Sequence, residues 1–169
     1  RHFKSLSSGS FPKILDTLPS MMNAIRMVWI ISRHYNTDER MLPLMERIAG
    51  EIADKASVQI DIRKVLRYSP KKARNLIHEA KTVLESWFST YMEVRSRIEE
   101  SGNDLRWEFD RKRLFDQTGY MAKVCADLIE VTTVLDEFQK FLGPELKAVT
   151  GESREIDEVI DRVNSLIGP

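Results

Sequence analysis

One apolar face runs without a break from Ala73 to Ile98. Ala73, Leu76, Ile77, Ala80, Val83, Leu84, Trp87, Phe88, Tyr91, Val94 and Ile98 recur every three or four residues, the spacing of a single helix face. Ser69-Pro70 opens this stretch, with serine placed to cap and proline at the first helical position, where its missing N–H is no loss. Ser101-Gly102-Asn103 closes it. At 1.5 Å per residue, a helix over 70–100 is about 45 Å long. Such a length is unusual in a compact globule and ordinary in an extended bundle. The rest of the chain is therefore read for further rods, antiparallel neighbours joined by short loops.

Glycine and proline account for 7 and 6 of the 169 residues and fall mostly between periodic stretches, as helix punctuation does. A helix over about 12–32 follows Ser10-Phe11-Pro12, with Leu15, Leu18, Met22, Ile25 and Trp29 on its buried side and Pro19 marking either a kink or a later start. A second, over about 37–67, follows a break at residues 32–36. Asn36 or Thr37 stands at its cap, and Asp38 and Glu39 fall where the helix dipole favours acids. Met41, Met45, Ile48, Ile52, Ala56 and Gln59 mark its inner face, while Pro43 and Gly50 weaken it locally. Val58, Ile60 and Ile62 alternate as a strand does, but over too few positions to displace the helix. A connector over 103–113 carries Trp107 and Phe109. A fourth helix, over about 111–142, begins near Asp110 or Asp116 and carries Met121, Cys125, Leu128, Leu135, Phe138 and Leu142; Gly143-Pro144 ends it. Gly151-Glu152-Ser153 opens a fifth, over about 152–167, with Ile156, Val159, Ile160, Val163, Leu166 and Ile167 in 3-4 spacing. The fold class is all-α, an extended antiparallel bundle of about five helices in one domain spanning 1–169.

Composition narrows the function classes. The 42% apolar content supports a core and excludes wholesale disorder. Twenty-six basic residues against 26 acidic ones leave no net charge, hence no global pull toward nucleic acid or an anionic membrane. A single cysteine forms no internal disulfide. The longest apolar run, Met27-Val28-Trp29-Ile30-Ile31, is far short of the roughly 20 residues that span a bilayer. The amino end, Arg1-His2-Phe3-Lys4, has neither an initiator methionine nor a signal-peptide core, so the chain reads as a segment of something larger.

No reactive constellation emerges. None of the seven glycines precedes a lysine, so the phosphate-cradling loop of nucleotide hydrolases is missing from this segment. His78-Glu79 begins like a zinc-protease helix, but position 82, where a second histidine must stand, is Thr82. His34, Asp38 and Glu39 are close in sequence, yet a helix start there directs the acids at backbone amides. Cys125 lies on the apolar stripe as an inert core thiol. Trp29, Trp87 and Phe88 read as core. We therefore expect no catalytic, cofactor-binding or metal-binding residues and no cofactor. Charge is nevertheless uneven. Arg63, Lys64, Arg67, Lys71, Lys72 and Arg74 fall with no acid between Asp61 and Glu79, while Glu152, Glu155, Asp157, Glu158 and Asp161 crowd the last helix. The basic run has only Tyr68 as an interleaved aromatic. It is read as a solvated junction first and as a seat for an acidic protein partner second, ahead of nucleic acid.

Two blocks of residues resemble a known family. Val28-Trp29-Ile30-Ile31-Ser32-Arg33-His34-Tyr35-Asn36-Thr37-Asp38-Glu39-Arg40-Met41 is similar to the amino-terminal tail of dynein heavy chains, the axonemal ones in particular. Leu44-Met45-Glu46-Arg47-Ile48 with Glu51-Ile52 fits the next family helix. Trp87 with Tyr91, Trp107-Glu108-Phe109-Asp110 and then Phe115 follow in the family's order. The resemblance covers roughly residues 14–142. Where the family carries an aromatic followed by arginine, this chain has Met121 and Lys123, with Gly119 nearby.

The resemblance implies a stem segment of a microtubule motor whose AAA+ ATPase ring and microtubule-binding stalk lie elsewhere in the parent chain. Its implied partners are other dynein heavy chains, intermediate and light chains, and axonemal docking proteins, with neither nucleic acid nor membrane, in the axoneme of a cilium or flagellum. The alternative is a cytoskeletal helical-bundle adaptor with a peptide-binding groove, and a third reading is an all-α enzyme domain. Tyr35 is expected to pack over the Trp29 face, and Thr37→Ala to cost about 1 kcal/mol if Thr37 is the cap.

Overall fold

The structure, a computed structural model, describes residues 6, 9–102, 105–142 and 162–163. Among the described residues every regular element is helical: α1 Phe11–Ile31, α2 Asp38–Gln59, the one-turn α3 Ile62–Val65, α4 Pro70–Glu100 and α5 Arg111–Leu142. Apart from Arg162 and Val163, both helical, the helix expected over 152–167 lies outside the described residues.

The strongest local signals place the ends of α4. Ser69 Oγ accepts the Lys72 N–H at 3.3 Å, and Pro70 follows at the first helical position. Gly102, at φ 68°, takes the left-handed conformation beyond the last turn, where a side chain is disfavoured. Asp110 opens α5, its carboxylate accepting the Lys112 N–H at 3.1 Å. Ser10 and Thr37 occupy the cap positions of α1 and α2 but make no side-chain cap bond. Their main-chain carbonyls start the helices instead, Ser10 accepting from Ile14 at 3.0 Å and Thr37 from Met41 at 2.9 Å.

The stretch expected as one helix over 37–67 is two. Helix α2 ends at Gln59, and Asp61 restarts the chain as α3 by accepting the Arg63 N–H at 3.0 Å. A carboxylate that bonds its own downstream amide competes with continuation of a helix. Pro19 neither delays nor divides α1, which is helical from Phe11 through Ile31. That helix is long and apolar enough, by length and composition, to cross a membrane. Seven of its side chains, from Phe11 to Trp29, are buried in the bundle, as in the core helix of a globular domain.

Helix α4 is the spine. It packs against α1 and α5 and touches α2, which lies mainly on α5. Contacts fix the directions. Arg74 meets Asp136 while Trp87 meets Leu114, so α4 and α5 are antiparallel. Glu46 pairs with Arg113, and Val58 faces Val124 across a groove, so α2 and α5, which are not consecutive, run in the same sense.

Most expected core positions are buried, including Leu18, Met22, Ile25, Met41, Met45, Ile48, Ile52 and Ala56. Three are not. Gln59 is exposed because α2 ends there. Phe138 and Leu142 are exposed on the last turns of α5, beyond Arg74, α4's ion-pair partner for that end.

Candidate functional site

Two features stand out as functional geometry: an aromatic knot that fixes the α4–α5 connection, and a groove beside an exposed basic ridge.

The knot gathers aromatics from four stretches of chain. Trp29 of α1 meets Trp107 and Phe109 edge-on, at 6.0 and 5.0 Å between ring centres. Tyr91 of α4 lies 5.8 Å from Trp107 and 5.1 Å from Phe115, and Phe88 lies 5.0 Å from Phe115. Edge-to-face pairs at these separations add stabilisation beyond the area they bury. Two polar bonds lock the connector and the first turn of α5 onto α4. Trp87 Nε1–H donates to the Leu114 carbonyl at 3.0 Å, and the Phe109 N–H donates to the Tyr91 hydroxyl at 3.1 Å. Burial, the chief influence, raises the Tyr91 phenol above its ordinary value. Outside the knot, Glu108 ties α4 to α5 through Arg95 at 3.2 Å and Arg111 at 3.1 Å. Every aromatic in the Trp87/Tyr91 and Trp107/Phe109/Phe115 blocks therefore has a place in one cluster.

Tyr35 does not join it. The expectation that it packs over Trp29 is overturned, because Trp107 and Phe109 occupy that face. Tyr35 is exposed and rests edge-on against His34 at 5.1 Å.

The residues tested for chemistry have ordinary surroundings. His34 accepts Arg40 Nη1 on its Nδ1 at 2.7 Å, and the same guanidinium reaches the His34 carbonyl at 2.9 Å. His78 is exposed on α4. Cys125 is fully buried, and burial pushes its thiol up to about 11, which keeps it protonated and unreactive near neutrality. Among the described residues, no group of three or more His, Cys, Asp or Glu side chains converges on a common point.

The groove, of about 560 Å³, lies where α2 ends, α3 begins and α5 passes. Ile60, Val124 and Leu128 form its floor; Val58, Ile62 and Tyr120 form its walls. Val58 is 60% and Tyr120 68% exposed, so the apolar lining is open to solvent. Ser57, Asp61, Lys64 and Asp127 complete the lining. From Lys64 the basic ridge continues through Arg67, Lys71 and Lys72, all exposed, with Lys72 Nζ 4.5 Å above the Tyr68 ring. Arg74 leaves the ridge by pairing with Asp136 at 3.0 Å. This guanidinium is the main reason the Asp136 carboxyl sits below its ordinary value. The acidic stretch 152–161 lies outside the described residues. Sequence reading identified the ridge and missed the groove. The alternation of Val58, Ile60 and Ile62 was its only trace, since the opposite wall comes from more than fifty residues away.

A family model for the dynein heavy chain, N-terminal region 1, matches residues 1–168. The chain is 52% identical over its whole length to the dynein-1-alpha heavy chain of the flagellar inner arm I1 complex of Chlamydomonas reinhardtii. It is 51% identical, again over its whole length, to dynein axonemal heavy chain 10 of Homo sapiens. Similarity extends to the dynein-1-beta heavy chain of the Chlamydomonas I1 complex, at 28% identity over 85% of this chain and 3% of that protein. The chain spans 4% of the length of each of the first two relatives.

Proposed function

Because this chain belongs to the dynein heavy chain family, through that family's N-terminal region 1, we propose that it is a structural and interaction segment of a motor's tail. The reading rests above all on whole-length identity above 50% to two axonemal heavy chains. In this proposal the segment holds heavy chains together and seats intermediate and light chains, within a complex that moves along microtubules in a cilium or flagellum. ATP hydrolysis belongs to AAA+ modules elsewhere in the parent chain. The family match sets aside an adaptor unrelated to dynein.

The physical design supports a mechanical role. Rods of 31 and 32 residues run antiparallel; the aromatic knot pins the start of α5 to the second half of α4, and Arg74–Asp136 pins the start of α4 to the second half of α5. Packed interiors transmit strain because their side chains interdigitate at near-crystalline density. A load applied at one end of α4 is thus passed to α5 through fixed contacts. Exposed faces remain available for partners, and no reactive pocket is needed.

The test is to delete residues 11–142 from the full-length heavy chain and express it in ciliated cells lacking the endogenous chain. We expect the motor's ATPase activity to persist while co-purification of partner chains and incorporation into the axoneme are lost. A complete complex built on the deleted chain would refute the proposal.

A further inference from the structure

We infer that the groove between α2, α3 and α5, with the basic ridge beside it, seats an acidic amphipathic segment of another polypeptide in the complex. The inference rests on the tail reading and deepens it by assigning a surface and the chemistry of its partner.

The groove supplies an apolar anchor site. Its volume of about 560 Å³ falls in the range of preformed binding clefts, enough for two or three bulky side chains. Val58 and Tyr120 stand at its mouth and leave most of their surface in water. An occupant that covered them would gain the free energy of removing apolar area from solvent.

The ridge supplies the charge. Arg63, Lys64, Arg67, Lys71 and Lys72 are all exposed. The first turn of α4 carries two of them and no acid, although the positive end of a helix dipole favours anions there. Lys71 and Lys72 thus add positive charge to a helix end that is already positive. Carboxylates from a partner relieve this conflict, and charge complementarity of this kind orients a partner and speeds its approach.

The combination favours a protein segment over a polyanion. Asp61 and Asp127 line the groove itself and repel a ligand that is negative throughout, such as a nucleic acid. A helix with apolar residues facing the groove and acids facing the ridge satisfies both regions. The chain's own acidic run, Glu152 to Asp161, is the competing occupant. However, Val163, two residues beyond that run, is buried without lining the groove.

The experiment is zero-length carbodiimide cross-linking of the native motor complex, with the linked peptides mapped by mass spectrometry. The Lys81–Glu85 pair, 2.9 Å apart on α4, is the internal control. We expect Lys64, Lys71 or Lys72 joined to Asp or Glu of a different polypeptide, in a stretch where acids alternate with apolar residues at 3-4 spacing. We also expect the Val58→Glu/Tyr120→Glu variant to lower the yield of that link by about tenfold or more, a loss of roughly one decade in affinity, with the control link unchanged. Links from these lysines only to residues 152–161 of the same chain, only to a second copy, or to nothing, with the control recovered, would overturn the inference. So would a link indifferent to the variant. If the complex assembles in full without the link, the groove assignment falls and the tail reading stands.

Discussion

The indole N–H of Trp87 donates to the main-chain carbonyl of Leu114 at 3.0 Å, joining α4 to the first turn of α5 across 27 residues of chain. Trp87 is fully buried and Leu114 nearly so, so the bond is shielded from water and sits within the aromatic knot. Trp87→Ala removes the bond and leaves a cavity, and should cost about 3–5 kcal/mol. Trp87→Phe keeps most of the volume and should cost about 1–2 kcal/mol. Urea unfolding followed by far-ultraviolet circular dichroism separates the two. Equal midpoints for wild type and Trp87→Ala would place Trp87 outside the folding core.

Tyr91→Phe tests the second lock. The ring remains against Trp107 and Phe115, but the buried Phe109 N–H loses its acceptor. An orphaned buried donor costs about 1–3 kcal/mol. The effect should be concentrated in the connector, so amide exchange at Phe109 should accelerate more than exchange in the middle of α4. Unchanged protection at Phe109 would mean that the hydroxyl does not hold the connector.

The caps of α2 and α4 should respond differently. Ser69 bonds the Lys72 amide, and Ser69→Ala should cost about 1 kcal/mol. Thr37 stands at the equivalent place on α2 with its side chain uninvolved. The cost of about 1 kcal/mol expected from sequence for Thr37→Ala is therefore withdrawn, and the substitution should be neutral within about 0.5 kcal/mol. Thermal melts of the pair decide it: a larger shift for Thr37→Ala would reverse the assignment.

Gly50 and Gly119 lie inside the unbroken helices α2 and α5 without a steric reason for glycine. A Cβ built at either meets nothing within 4 Å, and neither has positive φ. Alanine in place of each should stabilise by about 0.5–1 kcal/mol, by restricting the unfolded chain. Denaturation midpoints that fall instead would reveal a neighbour at these sites in the assembled motor or a local backbone requirement.

Legibility in the sequence followed the range of the interaction. The bounds of α4 and α5 match the expected 70–100 and 111–142 because Ser69-Pro70, Gly102 and Asp110 act on amides a few residues away. The division of α2 from α3 was hidden, since Asp61 caps a turn only if the helix has already stopped. Trp29 was correctly read as core, but its partners Trp107 and Phe109 lie nearly eighty residues on. Tyr35, closer in sequence, was wrongly given that place. The groove was least legible because its walls come from three elements, and none of them carries a signature of its own.

Cys125 gives the chain a distinct alkaline weakness. Burial holds its thiol protonated up to about 11, against an ordinary 9.0. In the unfolded chain the thiol ionises at its ordinary value, so above about pH 9 the unfolded state sheds a proton that the folded state keeps. The stability linked to this group is fully present below pH 9 and is lost as pH rises toward 11, a fall of up to about 2–3 kcal/mol. Tyr91, also raised by burial, acts in the same direction from its own ordinary value of 10.0 upward. Cys125→Ala should lower stability at neutral pH by leaving a small void, yet flatten the decline between pH 9 and 10, where tyrosine contributes little. Urea midpoints at half-unit steps from pH 8 to 11 measure both effects. A wild-type decline no steeper than that of Cys125→Ala would show that the thiol is not held in its neutral form by the core.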